Sequence, residues 1–599
     1  MRHYRAIFQK LLALTIGIVA ITTAAAANQL AGHPSPYLAL HAGDPVDWKP
    51  WQADVIDDSR AGNRLVFVSV GYFSCHWCHV MQQESYQDAG IAKILNEKYI
   101  SIKVDRELDP DLDRRLIDFV EKTRGAAGWP LNVFLTPEGY PVTGFTYLPR
   151  DDFARVLLQL DQQWQQDHVS LAAAARDFFQ TRMQDRENQA FDAPQIPGAQ
   201  LVDAFVSQTM LAADELQGGI GNSSKFPNVP QIDALLDAIS QNGNLDPDVT
   251  DFVHLTLRAM ASNNLQDHVN GGFFRYTTDP DWQTPHFEKM LYDNAQLAML
   301  YLKAQQLWPA QGYAEIATRT LDFVEANLKH PGGGYMASLS AVDKDNREGG
   351  AYFWTREQLA TLLNKDELDY LLKLWPAQPA SSEFLLGPLI GPGASGEPAR
   401  NSILLRKLQS RGSASMPIDD KRLASWNAMM LNALTAAADI DSRFANRALS
   451  LFRSMQDNFY RAGSLVRFAG NAAVADAVFE DYAQVAEAFL NYGRKFDSND
   501  AIEFARLLTQ NAYRMFLKDG RWQAKAKPLI PIAQGQWIIP DRVLYSPMTL
   551  WLKVALEVPE LDPTVRRSAA AMLQRASRDM LDSPYFYGSF IMLRSNNQS

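Results

Sequence analysis

The sequence predicts a chain of two parts, a small α/β domain followed by a larger all-α domain. The chain has 599 residues, which is more than a single hydrophobic core of about 250–300 residues can organise. Apolar runs rich in β-formers alternate with helical segments at first, and beyond Asp151 helical periodicity dominates to the end. The formal net charge of −11 argues against a nucleic-acid partner, because phosphates attract basic surfaces.

The first 27 residues predict a secretory signal peptide. Arg2, Arg5 and Lys10 precede a short apolar run at 11–21, and alanines at 24–27 provide small residues for cleavage. The run is shorter than the roughly 20 residues that span a bilayer, and an uncleaved anchor is the alternative. We therefore expect an exported, periplasmic protein with no membrane span after cleavage.

Four strands are expected in the small domain, which we place at residues 28–181. Residues 65–70 form an apolar run typical of a strand buried on both faces, and 99–104 form a second run after a helical stretch. This strand, helix, strand order indicates a parallel sheet. A third strand at 131–135 follows a Gly-Trp-Pro string, and a fourth ends near Tyr147.

Residues 182–200 are the expected linker, and 201–599 form the helical domain. About a dozen helices alternate with Gly-rich aromatic joints, and residues 389–415, rich in Gly, Pro and Ser, predict a loop or insertion. Six helical hairpins closing into a ring, an (α/α)6 toroid, use this length well, although an open solenoid fits the same pattern. The clearest helical segments are 201–217, 248–263, 293–306, 313–328, 423–438, 443–459, 481–492 and 501–516.

The two cysteines of the chain, Cys75 and Cys78, form one C-x-x-C at the start of a helix, which excludes a disulfide-stapled scaffold. Unpaired backbone N–H groups and the helix dipole favour an anion there. We therefore expect Cys75 to be the exposed attacking thiolate and Cys78 the resolving sulfur. His76, if protonated, would stabilise that thiolate; otherwise it is an exposed polar residue. In an exported protein such a pair cycles or rests as a disulfide.

Cys75, Cys78 and His79 also match the attachment pattern of c-type haem, and the same three side chains suit a metal ion. The surroundings favour a dithiol instead, because the motif follows a buried strand and Pro130 precedes another strand. In thioredoxin-like folds a cis-proline at that point packs beside the disulfide and presents backbone to the substrate. We therefore expect a thioredoxin-like domain whose redox-active disulfide is its only cofactor, with no metal.

Long strings in both parts of the chain carry a family resemblance. They lie at residues 35–38, 71–72, 75–81, 103–107, 128–130, 225–227, 271–276, 285–294, 425–427 and 480–483. Together they resemble the thioredoxin-domain proteins of the spermatogenesis-associated type and their bacterial relatives. The resemblance implies a thioredoxin-like domain fused to a six-hairpin glycosidase-like toroid. The chain departs from the family pattern at 343–349, where basic residues interrupt an acidic run.

A second candidate site lies in the helical part. Aromatic platforms and carboxylates suit carbohydrate binding and glycosidic or epimerase chemistry. Its residues are His286, Glu288, Asp293, Arg275, Tyr276 and Trp282. The alternative is that His286 and Glu288 form a satisfied buried network and that Asp293 caps a helix beginning at Asn294.

The favoured function is thiol–disulfide oxidoreduction on a protein or a small thiol, with Pro130 shaping the substrate groove. A C-x-x-C motif alone does not give the direction of electron flow. One alternative is a carbohydrate-active enzyme, a glycoside hydrolase or sugar epimerase, in which the cysteine pair is regulatory. Another is a non-enzymatic scaffold that binds a glycan or protein and holds a static disulfide.

Overall fold

The structure is a computed structural model of the chain. The signal peptide expected at 1–27 lies outside the residues that it describes. Those residues are 28–189, 196–241, 246–374, 383–411, 416–470, 476–530, 535–536, 538–575 and 578–597.

The N-terminal part is built on one four-stranded sheet with the strand order β2-β1-β3-β4. The strands are β1 (Val66–Gly71), β2 (Ile100–Asp105), β3 (Leu131–Leu135) and β4 (Pro141–Phe145). The helices are α1 (Pro36–Leu40), α2 (Ala53–Gly62), α3 (His76–Met81), α4 (Ala89–Lys98), α5 (Pro110–Arg124) and α6 (Arg150–Gln189). All four strands lie close to their expected positions.

Both faces of the central strand β1 are buried, because its side chains alternate between two helical layers. Val66, Val68 and Val70 share one apolar cluster with residues of α2 and α5. Phe67 points to the opposite face, where its ring lies 5.1 Å from that of Phe134. β-branched and aromatic residues suit such a doubly covered strand.

The expected parallel sheet is only partly correct. β1 and β2 are parallel, but β3 runs antiparallel to β1, with Leu131 opposite Val70. After α5 the chain turns at Gly125, a left-handed residue, and the loop 125–130 returns it to the edge where β1 ends. This reversal places Pro130 beside the segment that follows β1.

The C-terminal part is a closed ring of helical hairpins. Within the described residues, the inner helices contact one another in the order α8, α10, α15, α17, α19, α22 and back to α8. Ring closure excludes the open solenoid and gives the (α/α)6 toroid. The inner helices are α8 (Val229–Gln241), α10 (Leu291–Leu307), α15 (Ala424–Ala437), α17 (Phe479–Lys495), α19 (Pro547–Glu557) and α22 (Gly588–Asn596).

Each inner helix is paired with an outer helix that covers its far side. The remaining helices of the toroid are α7 (Gly198–Leu211), α9 (Pro247–Ser262), α11 (Tyr313–Asn327), α12 (Arg356–Leu362), α13 (Lys365–Leu374), α14 (Pro398–Gln409), α16 (Arg443–Phe459), α18 (Asn499–Phe516), α20 (Pro563–Leu573) and α21 (Arg578–Asp582). Of these, α12, α13 and α14 interrupt one hairpin and share a separate apolar cluster. None of the helices in the described ranges is suited by length and hydropathy to crossing a bilayer.

The segment 389–415 is expected to be a loop or insertion. It belongs to the insertion that interrupts one hairpin, but it is not a loop throughout, because Leu404, Leu405 and Leu408 give α14 an apolar face. The expected linker at 182–200 is shorter than predicted, since α6 continues to Gln189 and α7 begins at Gly198. Residues 412–415 and 190–195 lie outside the described ranges.

The two parts are joined by a buried cluster of charges, which we call the Lys421 cluster. The Lys421 ammonium lies 2.7 Å from Asp105, 2.8 Å from Glu107 and 2.7 Å from Asp419. Asp105 and Glu107 come from the end of β2, whereas Asp419 and Lys421 belong to the toroid. Burial raises the pKa of Asp419 to about 7, against the opposing pull of Lys421.

Candidate redox site at the domain junction

Cys75 and Cys78 form a disulfide at the start of α3. Cys75 is the N-cap of that helix, and its sulfur accepts a hydrogen bond from the backbone N–H of Cys78 at 3.2 Å. α3 continues into a π-helical turn at Gln82–Tyr86. The motif therefore has the backbone donor that stabilises a sulfur anion.

The expectation that Cys75 is exposed is wrong. Cys75 is only 3% exposed and Cys78 only 1%, because a toroid segment at 338–348, which we call the covering segment, lies across the motif. The backbone N–H of Ala341 donates to the carbonyl of Ser74 at 3.4 Å, and the Ser74 and Ser338 hydroxyls are 3.1 Å apart. The disulfide is thus enclosed by a part of the chain more than 260 residues away in sequence.

Pro130 directly precedes β3, the strand that runs antiparallel to β1. The Trp129–Pro130 peptide bond is cis, and Pro130 is buried at the start of β3. The Trp129 ring lies under the Arg106 guanidinium, 3.8 Å from its carbon, and the indole N–H donates to Asp113 at 2.6 Å. The Trp129 side chain, which directly precedes Pro130, is therefore held in place by Arg106 on its ring face and by Asp113 at its indole N–H.

Two of the candidate residues of the toroid, Arg275 and Glu288, contact the thioredoxin-like domain at Tyr72, three residues before Cys75. The Tyr72 hydroxyl lies 2.9 Å from each carboxylate oxygen of Glu288. Arg275 donates to the same hydroxyl at 2.5 Å and lies 3.4 Å from Glu288. The two candidate sites of the sequence are therefore parts of one site.

His286 connects this cluster to the cysteine motif through Glu348. His286 is 3.2 Å from Glu288 and 3.7 Å from Glu348, and Glu348 is 3.8 Å from His76. Burial opposes the charged imidazole, but Glu288 and Glu348 outweigh it and raise the pKa of His286. Burial likewise opposes ionisation of Glu288, yet His286 and Arg275 hold the pKa of Glu288 below its ordinary value.

Glu348 is the site residue that sequence reasoning missed. It belongs to the acidic run at 343–349, which the sequence marks only as a departure from the family pattern. Its position directly before Gly349 and Gly350 was a weak signal of a tight turn that presents a carboxylate. Nothing in the local pattern shows that this turn faces His76 and His286.

Asp293 lies deeper in the same cluster. It is in the first turn of α10, whose N-cap is Met290, so the capping role expected of Asp293 is wrong because the helix begins three residues before Asn294. Burial raises the pKa of Asp293 to about 8, although Arg275 acts against the shift. Asp293 is therefore largely protonated at neutral pH.

Tyr276 and Trp282 do not offer the free aromatic faces that a sugar platform needs. Tyr276 is stacked between His286, at 4.9 Å, and Phe226, at 4.5 Å. Trp282 is completely buried, and its indole N–H donates to the carbonyl of Gln217 at 3.0 Å. The platform expectation is wrong for both residues, because other side chains and backbone occupy their faces.

The ligands of the haem or metal alternative do not converge. Cys75 and Cys78 are bonded to each other, and the His79 ring nitrogen bonds to the carbonyl of Phe73 at 2.8 Å. In the described part of the chain, no group of three or more His, Cys, Asp or Glu side chains is arranged to hold a metal ion.

Fold and site together define a class of protein, a thioredoxin-like C-x-x-C domain docked against an (α/α)6 toroid that covers the motif. The family model described as "Thioredox_DsbH: Protein of unknown function, DUF255" matches residues 27–183. This match covers the sheet, the cysteine motif and most of α6.

The chain belongs to the family of spermatogenesis-associated protein 20. The Homo sapiens protein of that name is 32% identical over 550 residues, which cover 82% of this chain and 70% of the relative. The Rattus norvegicus protein is 31% identical over 555 residues, with the same coverage. Among solved structures, a D-mannose isomerase aligns with a TM-score of 0.42 and 11% identity over 68% of this chain and 100% of its own. A thioredoxin from Thermus thermophilus aligns with a TM-score of 0.17 and 22% identity over 19% and 87%.

Proposed function

We propose that this chain is a thiol–disulfide oxidoreductase, exported to the periplasm, that acts on a protein or small thiol. The observation that carries the proposal is the position of the disulfide. It follows the central strand and begins a helix, the cis peptide bond before Pro130 directly precedes the neighbouring strand β3, and the sulfur of Cys75 accepts a backbone N–H. That environment favours a thiolate at Cys75 and exchange with another sulfur.

The exchange follows two sulfur attacks. When the substrate reduces the protein, a substrate thiolate bonds to the sulfur of Cys75. The Cys75–Cys78 bond breaks, and its electron pair leaves on Cys78. A second substrate thiolate then attacks the first substrate sulfur, and Cys75 leaves as a thiolate. The substrate departs as a disulfide, the protein gains two electrons, and protons from solvent neutralise the thiolates. Oxidation runs through the same steps in reverse.

Substrate access requires the covering segment to move away from the motif. Ser338, at one end of the segment, is bonded to Ser74 and paired with Met290 and Asp419 in a short sheet. The Glu348 end is held weakly, since the pair between Glu348 and His76 is 3.8 Å long and partly exposed, 36% and 22%. Pairs of that exposure stabilise a fold by roughly 0–1 kcal/mol. Opening at this point therefore costs little compared with undocking the whole toroid.

The charges behind the covering segment favour an arriving thiolate. With Glu348 in place, two carboxylates, Glu288 and Glu348, lie within 3.7 Å of His286, and Arg275 lies 3.4 Å from Glu288. Once Glu348 moves away, this group loses one carboxylate and its potential becomes more positive. Positive potential in a cleft concentrates anions and speeds their association.

The test is a trapped mixed disulfide. In Cys78→Ser, Cys75 lacks its resolving partner, so oxidised glutathione should form a stable adduct on Cys75 that a reductant releases. The double variant Cys75→Ser/Cys78→Ser is the matched control and should form none. A Cys78→Ser protein that stays unmodified at Cys75 while folded would refute the proposal.

Carbohydrate chemistry on the toroid remains the alternative hypothesis. Its carboxylates, Glu288 and Asp293, are buried, and Glu288 already accepts the Tyr72 hydroxyl. A sugar would therefore have to displace Tyr72 before it reached either group. This hypothesis requires that His286→Ala abolish sugar binding or turnover, whereas a purely structural scaffold would show neither sugar nor thiol chemistry.

A further inference from the structure

We propose that the Tyr37 hydroxyl is a positioning group for the sulfur of Cys78 and donates a hydrogen bond to it when the disulfide is reduced. The proposal deepens the redox function, since it assumes that the Cys75–Cys78 couple cycles. Tyr37 comes from the segment before the thioredoxin-like sheet, on α1, and belongs to the 35–38 string, which has no part in the redox site described above.

The geometry rests on Gly71, the last residue of β1. A Cβ atom placed on Gly71 would lie 2.2 Å from the Tyr37 hydroxyl oxygen and 2.8 Å from the sulfur of Cys78. The distance between the oxygen and the sulfur therefore cannot exceed the sum of these two distances. Since glycine has no side chain, the space between these two atoms stays open.

The Tyr37 hydroxyl is a buried donor without a partner. Tyr37 is 1% exposed, and its hydroxyl oxygen makes no hydrogen bond in the disulfide form. A buried polar group left unpaired costs free energy. Burial also raises the pKa of Tyr37 well above its ordinary value, so the phenol keeps its proton and remains a donor.

Other polar groups below the motif are already committed. The Lys103 ammonium donates to the Ser69 hydroxyl at 3.0 Å, and the His41 ring pairs with Asp44 at 2.6 Å. The His79 ring bonds to the carbonyl of Phe73. Tyr37 thus combines an unpaired donor with a position beside the buried sulfur.

The acceptor appears on reduction. A thiolate accepts hydrogen bonds far more strongly than a disulfide sulfur does, because it carries a full negative charge. Tyr37 then gains a partner that it lacks in the oxidised form. The hydroxyl therefore stabilises the reduced protein relative to the oxidised one and makes the couple more oxidising.

The experiment is an equilibrium with glutathione. Two glutathione thiols supply two electrons and two protons; the Cys75–Cys78 bond breaks, an S–S bond forms between the glutathiones, and each proton passes to a cysteine sulfur or, where that sulfur stays a thiolate, to solvent. The equilibrium constant is measured on the full chain by acid quench and thiol counting. Tyr37→Phe should shift this constant about tenfold toward the disulfide, which is about 30 mV for a two-electron couple.

Tyr99→Phe is the matched control. Tyr99 is equally buried, but its hydroxyl donates to the carbonyl of Leu157 at 2.6 Å and is bonded in both redox forms. Its removal should leave the glutathione constant unchanged. An unchanged constant in Tyr37→Phe, or an equal shift in both variants, would overturn the proposal.

Thermal unfolding supplies an independent readout. Tyr37→Phe should raise the melting temperature of the oxidised protein, where the hydroxyl is unpaired, and lower that of the reduced protein, where it is bonded. A change of the same sign in both forms would also overturn the proposal. The melting temperatures of the oxidised and reduced forms need no exchange at Cys75 during the measurement, so this readout stays available where Cys78→Ser forms no adduct and the enzymatic role fails.

Discussion

Among the contacts that join the thioredoxin-like domain to the toroid, the Lys421 cluster and the pair between Glu348 and His76 differ in burial and in charge balance. In the Lys421 cluster one completely buried ammonium holds three carboxylates at 2.7–2.8 Å. At the redox site Glu348 and His76 form a single pair 3.8 Å long that is partly open to solvent. The first contact resists separation, because charges stripped of water become costly once their partner leaves. The second separates at little cost.

The difference indicates a fixed anchor and a covering segment whose Glu348 end is free to move. The other end of that segment is held to the anchor, because Ser338 pairs with Asp419. β2 ends in the anchor, whereas β1 leads to the covered disulfide. Exposing Cys75 therefore does not require the domains to part. Small movement of the covering segment is enough, while the anchor keeps Tyr72 close to Glu288.

The largest effect is expected at the anchor. Lys421→Met leaves Asp105, Glu107 and Asp419 without their shared cation, and breaking a buried pair in this way costs about 3–5 kcal/mol. The free energy of unfolding in urea should fall by that amount. The control is Arg443→Met, which removes an exposed pair with Asp322 worth about 0–1 kcal/mol. A Lys421→Met protein as stable as the control would break the comparison.

A second effect concerns Asp293, the buried carboxyl behind the cover. Its pKa is raised to about 8 in the folded protein, so the folded state holds a proton that the unfolded state releases near 3.8. Its contribution to stability is present at low pH and is lost as pH rises toward 8. Asp293→Asn has no carboxyl at this position, so its stability should not depend on pH through this site. Between pH 5 and 8, the unfolding free energy of the wild type should therefore fall by about 1.4 kcal/mol per pH unit more than that of the variant.

Glu325→Gln is the control for this pH dependence. Burial opposes ionisation of Glu325, yet hydrogen bonds from Lys329 and Tyr335 hold the pKa of its carboxyl below the ordinary value. The contribution of Glu325 to stability is therefore lost only in acid. The unfolding free energy of Glu325→Gln, plotted against pH, should stay parallel to that of the wild type between pH 5 and 8. Parallel profiles of Asp293→Asn and the wild type over that range would instead show that Asp293 is ionised in the folded state.

The smallest effect on stability is expected at the cover. Glu348→Gln removes one charge of a partly exposed pair, so the unfolding free energy should change by less than about 0.5 kcal/mol. Reduction of the disulfide by dithiothreitol should nevertheless become about twofold faster, because the covering segment is held less firmly and about 0.5 kcal/mol corresponds to about a factor of two in rate. Glu503→Gln, which breaks an exposed pair with Arg506 on α18, should leave the rate unchanged. Equal rates in wild type and Glu348→Gln would remove Glu348 from the account.

The sequence predicts what depends on local pattern. Apolar runs located all four strands, and helical periodicity located eight helices of the ring. The inner helices α8, α19 and α22 were not among the segments it marked clearly. The Gly-Trp-Pro string marked the proline that follows the cis peptide bond. Those features depend on residues near one another in the chain or on a fixed period of burial.

The burial of Cys75 was not predictable from that pattern, because it depends on Ser338 and Ala341, which reach the motif only when the ring has closed. The roles of Glu348 and Lys421 were missed for the same reason. A charged residue in a loop has no local signature of the partner that folding brings to it.

The most direct test of the account is the reduction potential of the Cys75–Cys78 couple in the full chain. A redox centre behind a movable cover should equilibrate with a glutathione buffer and give a potential above about −300 mV, in the range of exchanging thioredoxin-like couples. A potential below about −300 mV, typical of a structural disulfide, would contradict the account and leave the pair a static link.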